Sequence, residues 1–304
     1  MTQKTTPAIS PVMQRLSAYI ASAVRRPLPP AVTEKTKHHL LDTLAAMVSG
    51  SRLLPGKTAI SYVKTLGGAR EASVIGTRCV TTAVNAALAN GMLAHADETD
   101  DSHAPSLTHP GCGIVPAALA MAERERRGGT ALLRAVALGY DVGCRLTISL
   151  NAYEFREDGH STHSFGPMFG AAAAAGALAG LNAARIRHLL SYTAQQASGV
   201  SCWMRDEEHI EKAFDFGGMP ARNGVTAATM VAHGFTGVDD AFSGERNFFV
   251  AYGRAPKPAE LTRDLGTTYE IMNTNIKRWS VGSPIQAPLD ALLELMREHG
   301  FKAD

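Results

Sequence analysis

Hydrophobic residues recur at helical spacing through most of the chain. The segments 34–51 and 130–150 place apolar side chains three and four residues apart, the pattern of a helix with a buried face. Gly50 and Gly180 close two such segments, as glycine commonly does at a helix C-terminus, and Asn182 is a suitable N-cap for the next helix. Further helices are predicted over 113–126, 166–181, 182–200, 219–237 and 287–300.

The predicted helices are rich in alanine and glycine, and aromatic residues make up only 6% of the chain. Small side chains let helix axes approach closely, so we expect a mainly α protein with a large all-helical body. The sequence has no βαβ alternation and lacks the glycine-rich motifs of dinucleotide-binding and P-loop folds. Nothing in the sequence therefore implies a nucleotide cofactor.

The pattern changes near residue 255. Residues 269–279 alternate β-branched and aromatic side chains, which predicts a strand that opens a second domain. We therefore predict an all-helical domain over 1–260 and the beginning of a smaller α+β domain over 261–304. A segment of about forty residues is too small to form its own core, so this second domain is expected to be incomplete and the chain truncated.

Charge and cysteine usage narrow the class of protein. The chain has 30 Lys+Arg and 28 Asp+Glu, and this balance argues against a nucleic-acid or membrane-surface partner. Its four cysteines lie far apart, which favours reduced thiols over disulfides or a thiolate metal site. The N-terminus lacks the apolar core of a secretion signal, and the uncharged run 165–181 is more typical of an interior helix than of a membrane span. A cytoplasmic protein is expected.

Segment 95–111 is rich in histidines and acidic residues. It contains three histidines and four acidic side chains. The segment lies between two apolar helical patterns, and dry surroundings there would shift pKa values as acid–base chemistry requires. A loop that only caps the two helices would have a similar composition. The residues alone leave both interpretations open.

A metal site is a weaker alternative for this segment. Its candidate ligands, in a metal-dependent hydrolase on a helical scaffold, are His95, Asp97, Asp101, His103 and His109. No histidine of the chain is followed directly by aspartate, and the first two histidines of the set are eight residues apart rather than the four that share one helix face. We therefore assign no metal ligands.

Two further segments carry groups that suit an anionic substrate. His160 lies in segment 158–167, at the start of a predicted helix whose positive end could hold a carboxylate. Lys212 and Arg222 flank a Gly-Gly turn in segment 204–224. Each segment is also compatible with an ordinary polar helix end. Together the three segments supply bases, acids and cations, the groups that proton abstraction next to a carboxylate needs.

The stretches "NGMLAHADETDDSH", "GHST", "EKAFDFGGMPARNG" and "IKRWSVGSPIQAPLDAL" occur in the order found in the MmgE/PrpD family, and the chain resembles that family over nearly its whole length. The family includes 2-methylcitrate dehydratase, cis-aconitate decarboxylase and iminodisuccinate epimerase. The resemblance implies a large helical domain, a smaller α+β lid domain and a homodimer. It also implies a lyase or isomerase that uses acid–base chemistry on small di- or tricarboxylic acids, without metal or organic cofactor.

The resemblance also implies residue roles. The implied catalytic residues are Asp100, Asp101, His109 and Lys212. The substrate-binding residues expected from the resemblance and from the charged turn are Glu98, Ser102, His160, Arg222 and Gln286. In this assignment His109 transfers the proton, and the acidic residues position the cluster and tune its pKa values.

The chain departs from the family pattern in two ways. Gln286 stands where many members have a histidine, and glutamine can bind a substrate but cannot transfer a proton. This disfavours dehydration by the methylcitrate mechanism and decarboxylation. Family members also extend well beyond 304 residues, so a truncated, non-catalytic remnant that only dimerises is a further alternative.

Overall fold

Helices dominate the protein, as predicted. The computed structural model describes residues 9–302. In chain order its α-helices are α1 (Pro11–Ser22), α2 (Pro30–Gly50), α3 (Leu54–Leu66), α4 (Ala83–His95), α5 (Pro110–Arg124), α6 (Gly129–Ser149), α7 (Ala152–Glu157), α8 (Thr162–Leu178), α9 (Ala183–Gln196), α10 (Ile210–Ala213), α11 (Met219–Ala232), α12 (Phe248–Tyr252) and α13 (Ser283–His299). Two short antiparallel strands, β1 (Ala72–Ser73) and β2 (Val80–Thr81), are the only paired strands among the described residues. The mainly α fold class is confirmed.

Helix α8 lies at the centre of the core, packed against α5, α6 and α11. Glycines make the α6–α8 contact possible: a Cβ atom added at Gly143 would lie 2.9 Å from the carbonyl oxygen of Gly166. Such distances leave no room for any side chain, so backbone packs directly on backbone. No helix within residues 9–302 is long and apolar enough to cross a membrane.

The predicted helix boundary around residue 180 is confirmed. Gly180 follows α8 with a φ of 71°, a left-handed conformation that glycine adopts without strain. The side chain of Asn182 then accepts a hydrogen bond from the backbone N–H of Arg185, at 3.0 Å, and so caps α9.

A π-helical turn, Phe214–Gly218, joins α10 to α11. Its Gly217 packs directly against Gly91 of α4, and a Cβ atom on either glycine would collide with the carbonyl oxygen of the other. This close approach brings the C-terminal end of α4, with His95, beside the ring of Phe216. A π-helical turn is wider than an α-helical one and is frequent at functional sites.

The prediction of a strand over 269–279 is wrong. The structure instead has a 3-10 turn at Glu270–Asn273, followed by a bridge in which Ser102 and Asn275 exchange two backbone hydrogen bonds of 2.9 Å. A strand needs a neighbouring strand with which to pair. Within the described part of the chain this segment finds a partner only at that bridge.

Helix α13 confirms the predicted helix at the end of the chain. None of its residues is buried within the described part of the protein. The division into domains over 1–260 and 261–304 stays a prediction.

Candidate active site

Ionisable side chains from five parts of the chain meet around Phe216 and Asp100. This acid–histidine cluster consists of His95, Glu98, Asp100, His109, His163, Lys212 and Lys277. The ring of Phe216 gives it an apolar floor, on which His163 stacks with ring centroids 3.9 Å apart. Residues that lie more than a hundred positions apart in the sequence, such as His95 and Lys277, therefore share one environment.

Asp100 is the buried centre of the cluster. Its carboxylate accepts a hydrogen bond from Nδ1 of His95 at 2.9 Å and lies 3.3 Å from Nζ of Lys277. Nδ1 of His109 is 3.7 Å away. Burial would raise the pKa of Asp100, but the neighbouring His95, Lys277 and His109 outweigh it and hold the pKa well below its usual range. Asp100 is therefore a fixed anion that orders the groups around it.

Asp101 belongs to a separate buried network. Its carboxylate accepts hydrogen bonds from Nδ1 of His39 at 2.6 Å, the hydroxyl of Tyr140 at 2.5 Å and the backbone N–H of Gly111 at 2.9 Å. Its backbone carbonyl oxygen faces the cluster and accepts a bond of 2.7 Å from Nδ1 of His109. In this structure Asp101 contributes to the site through its main chain, while its side chain holds the loop in place.

His109 is placed to accept a proton. It lies directly before Pro110 at the start of α5 and is buried. Because a carbonyl oxygen only accepts, Nδ1 must carry the hydrogen, and Nε2 of the neutral ring keeps its lone pair. Burial, together with nearby positive groups such as Lys277, lowers the pKa of His109 to about 4, although Asp100 opposes the shift. The ring is therefore neutral at pH 7.

Lys212 and Glu98 form an ion pair at the edge of the cluster. Both side chains are 21% exposed, so solvent reaches this part of the cluster. The ammonium group also lies 5.7 Å from the ring centre of Trp203 and 5.4 Å from that of Phe216, within range of cation–π attraction. An incoming carboxylate could replace Glu98 as the partner of this ammonium.

Lys277 was not predicted from the sequence. Its side chain is only 3% exposed, and Nζ donates to the carbonyl oxygen of Glu98 at 2.8 Å as well as contacting Asp100. The bridge between Ser102 and Asn275 brings it to the cluster and also places Ser102 beside the cluster. A lysine in a segment of mixed polarity gives no sequence signal of this burial.

His163 was also missed, although it lies in the segment from which His160 was chosen. Its ring centroid is 4.9 Å from that of His109, and its Nδ1 is buried with no hydrogen-bond partner within residues 9–302. Burial and the other histidines hold the pKa of His163 well below its usual range. The spacing of the two histidines does not reveal which of them faces Phe216.

Three of the predicted substrate-binding residues lie outside the cluster. His160 stacks on an aromatic ring of α7, with centroids 4.5 Å apart. The Cζ atom of Arg222 lies over the ring of Phe214, 5.3 Å from the ring centre. Gln286, in α13, donates a hydrogen bond of 2.8 Å to the carbonyl oxygen of Trp279. Their assignment as substrate-binding residues stays a prediction.

The ligand set considered for a hydrolase is not gathered in one place. The two ring nitrogens of His103 contact Ser106 at 2.7 Å and Glu270 at 3.2 Å, away from the cluster. Asp97 accepts a hydrogen bond from the hydroxyl of Thr99 at 2.6 Å. Two other groups have donor atoms within 4.8 Å of one another, namely His95–Glu98–His209 and His95–Asp100–Cys112.

The family of the chain follows from comparison with known proteins. The MmgE/PrpD N-terminal domain matches residues 14–261. The chain belongs to the MmgE/PrpD family. It is also similar to the cis-aconitate decarboxylase-like protein oryM of Aspergillus oryzae (strain ATCC 42149 / RIB 40), with 28% identity over 291 residues. The match covers 90% of this chain and 59% of that protein, so the chain spans about three-fifths of its relative's length.

In this MmgE/PrpD chain the cluster combines a neutral imidazole with two ammonium groups. A neutral imidazole can take a proton from carbon at neutral pH, and ammonium groups can bind the carboxylates of a substrate. Positive charge near the reacting carbon also stabilises the anion that forms when the proton leaves. The cluster therefore has the groups needed for acid–base chemistry next to a carboxylate.

Proposed function

We propose that the chain forms part of the active site of a lyase or isomerase that removes a proton alpha to a carboxylate of a small di- or tricarboxylic acid. The observation that carries this proposal is the fixed orientation of His109, whose Nδ1–H is held by Asp101 so that Nε2 is left to accept a proton. Membership of the MmgE/PrpD family supports a lyase-type enzyme. The proposed reaction uses no metal or organic cofactor.

In the proposed mechanism the C–H proton passes to Nε2 of His109, and the carbanion is stabilised as an enediolate by the adjacent ammonium groups. Lys212 binds one carboxylate after it separates from Glu98, and Lys277, whose Nζ lies 3.3 Å from Asp100, adds positive charge to the site. Asp100 and Asp101 position these groups. Ser102 donates a hydrogen bond to the substrate.

Two outcomes are open once the proton has left. Loss of a neighbouring hydroxyl as water, with the proton that His109 has taken up, gives a dehydratase of the 2-methylcitrate type, and return of a proton from solvent to the other face gives an epimerase of the iminodisuccinate type. The relative is named for its likeness to a decarboxylase of cis-aconitate. Gln286 cannot supply a proton, which favours a reaction that needs no proton transfer from that position.

Proton exchange with solvent tests the proposal directly. The purified chain is incubated in deuterated water with citrate, 2-methylcitrate, cis-aconitate, malate and succinate, and each C–H signal is followed by NMR. We expect the chain to exchange one alpha C–H of one acid, and His109→Ala to lose this exchange. His233→Ala removes an exposed histidine and serves as the matched control. Exchange that His109→Ala retains at the full rate contradicts the proposal.

The same experiment separates the two outcomes. Exchange without net conversion supports an epimerase, whereas net loss of a hydroxyl supports a dehydratase. The proposal also includes a homodimer, which the family resemblance implies, and a cytoplasmic location, as expected from the sequence. Light scattering after size exclusion measures the mass of the 32.2 kDa chain in solution and tests the dimer.

A further inference from the structure

A second set of donor atoms lies beside the ion pair of Lys212 and Glu98. His95, Glu98 and His209 each place one potential ligand atom within 4.8 Å of the others. The two imidazole rings stack, with centroids 5.0 Å apart and planes at 20°, so the ring of His209 must turn before both rings can direct a lone pair at one ion. Nδ1 of His209 is 3.6 Å from the carboxylate of Glu98. These three side chains come from the end of α4, the loop that follows it and the residue before α10.

Hydrogen bonds fix the tautomers of both histidines. Nδ1 of His95 donates to the carboxylate of Asp100, so Nε2 keeps its lone pair, and this buried nitrogen has no partner among residues 9–302. Nε2 of His209 donates to the carbonyl oxygen of His95 at 3.1 Å, so its Nδ1 keeps a lone pair toward Glu98. An imidazole whose other N–H is held by a carboxylate or carbonyl is the usual state of a histidine that ligates a metal.

We propose that His95, Glu98 and His209 form a binding site for a divalent transition-metal ion, with Zn²⁺ the best fit, and that the ion competes with Lys212 for Glu98. Two imidazole nitrogens and one carboxylate oxygen match the ligand preference of zinc, and the fourth position stays open to water. Because Lys212 now pairs with Glu98, the metal must displace its ammonium group. Glu98 and His209 are only partly buried and can move inward to the zinc–ligand distance of about 2 Å.

The neighbouring group His95–Asp100–Cys112 is less suited to a metal. Asp100 is already occupied by His95 and Lys277. The thiol of Cys112 donates to the carbonyl oxygens of His109 and Phe216, at 3.1 and 3.4 Å. Burial and the carboxylate of Asp100 raise the pKa of this thiol well above its usual value.

Metal binding at this site has a consequence for activity that rests on the proposed function. Lys212 loses its place beside Glu98, and a bound cation of charge two repels the ammonium groups that hold the substrate. The ion is therefore expected to inhibit the proton-exchange reaction. Binding itself does not depend on the proposed function and is measured separately.

Zinc titration against a chromophoric chelator tests the site. We expect the chain to bind one equivalent of Zn²⁺, and His209→Ala to weaken its affinity by roughly tenfold or more. Lys212→Ala removes the competing ammonium and is expected to raise the affinity severalfold, the opposite of the effect of losing a ligand. His233→Ala and Cys112→Ser serve as controls and should bind zinc as the unaltered chain does.

Two results would overturn the proposal: an affinity that is the same in His209→Ala as in the unaltered chain, or one that does not rise in Lys212→Ala. Circular dichroism confirms the fold of each variant. Zinc that binds as expected but leaves proton exchange unchanged contradicts the inhibitory role alone. Zinc that activates the chain contradicts competition with Lys212 and supports the metal-dependent hydrolase alternative.

Discussion

The Nδ1–H of His109 donates a hydrogen bond to the backbone carbonyl oxygen of Asp101, over 2.7 Å. One residue thereby serves two purposes, because the carboxylate of Asp101 meanwhile anchors His39 and Tyr140 in the core. The orientation of the proposed base therefore depends on a buried network that lies on the far side of the loop.

The enzyme should stay active at pH values well below the ordinary pKa of histidine. Burial lowers the pKa of His109 to about 4, and only the unprotonated ring can accept a proton. The exchange rate should therefore stay constant as the pH falls through 6.5 and should decline near pH 4. Rates of deuterium exchange measured between pH 3.5 and pH 8 check this, and a midpoint near pH 6.5 would contradict the assignment of His109 as the base.

Loss of Lys277 should destabilise the fold. Lys277→Ala leaves the carboxylate of Asp100 buried without its ammonium partner, which typically costs about 3–5 kcal/mol. Urea unfolding measures the change. Arg278→Ala is the matched control, because its side chain is 59% exposed and such substitutions usually change stability by less than about 0.5 kcal/mol. Equal stabilities of the two variants would show that the buried contact to Asp100 contributes nothing.

The network around Asp101 should behave as a unit. Asp101→Asn removes the charge that accepts from His39 and Tyr140, and we expect a loss of about 2–4 kcal/mol in the free energy of unfolding. Tyr140→Phe removes one hydrogen bond and should cost about 1–2 kcal/mol. The double variant should lose less than the sum of the two, because both changes break the same contact. Strict additivity in denaturant unfolding would argue against a coupled network.

Asp215 should make stability depend on pH. Burial raises the pKa of Asp215 to about 7, against the opposing hydrogen bond from Ser161. Since the folded value lies above that of the unfolded chain, the folded state gains from protonation below about pH 4 and loses this gain as the pH rises through 7. Asp215→Asn should therefore raise the melting temperature at pH 8 relative to the unaltered chain, with a smaller gain at pH 5. An equal shift at both values would contradict the raised pKa.

The contact between Gly91 and Gly217 should tolerate no side chain. Gly91→Ala forces α4 away from the π-helical turn, and overpacking of this kind costs about 1–3 kcal/mol or more. It should also reduce proton exchange, because His95 and Phe216 separate. Gly129→Ala, where an added Cβ meets nothing within 4 Å, is the control and should leave both stability and exchange unchanged.

Much of the fold was predictable because its signals are local. The spacing of apolar residues located the helices, and the capping residues Gly180 and Asn182 marked their ends. The prediction of a strand over 269–279 was wrong because strand formation is not a local property. The alternation of side chains is local, but a strand also needs a distant segment with which to pair, and within residues 9–302 this segment pairs only with Ser102.

The helical class, the family resemblance and the chemical character of the residues between His95 and His109 can all be read from the sequence. That His163 rather than His160 faces Phe216, and that Lys277 is buried against Asp100, is evident only in the folded protein. The reason is physical. Helical periodicity is set by neighbouring residues, whereas the partner of a buried charge is set by contacts between segments far apart in the chain, and these form only when the helices pack.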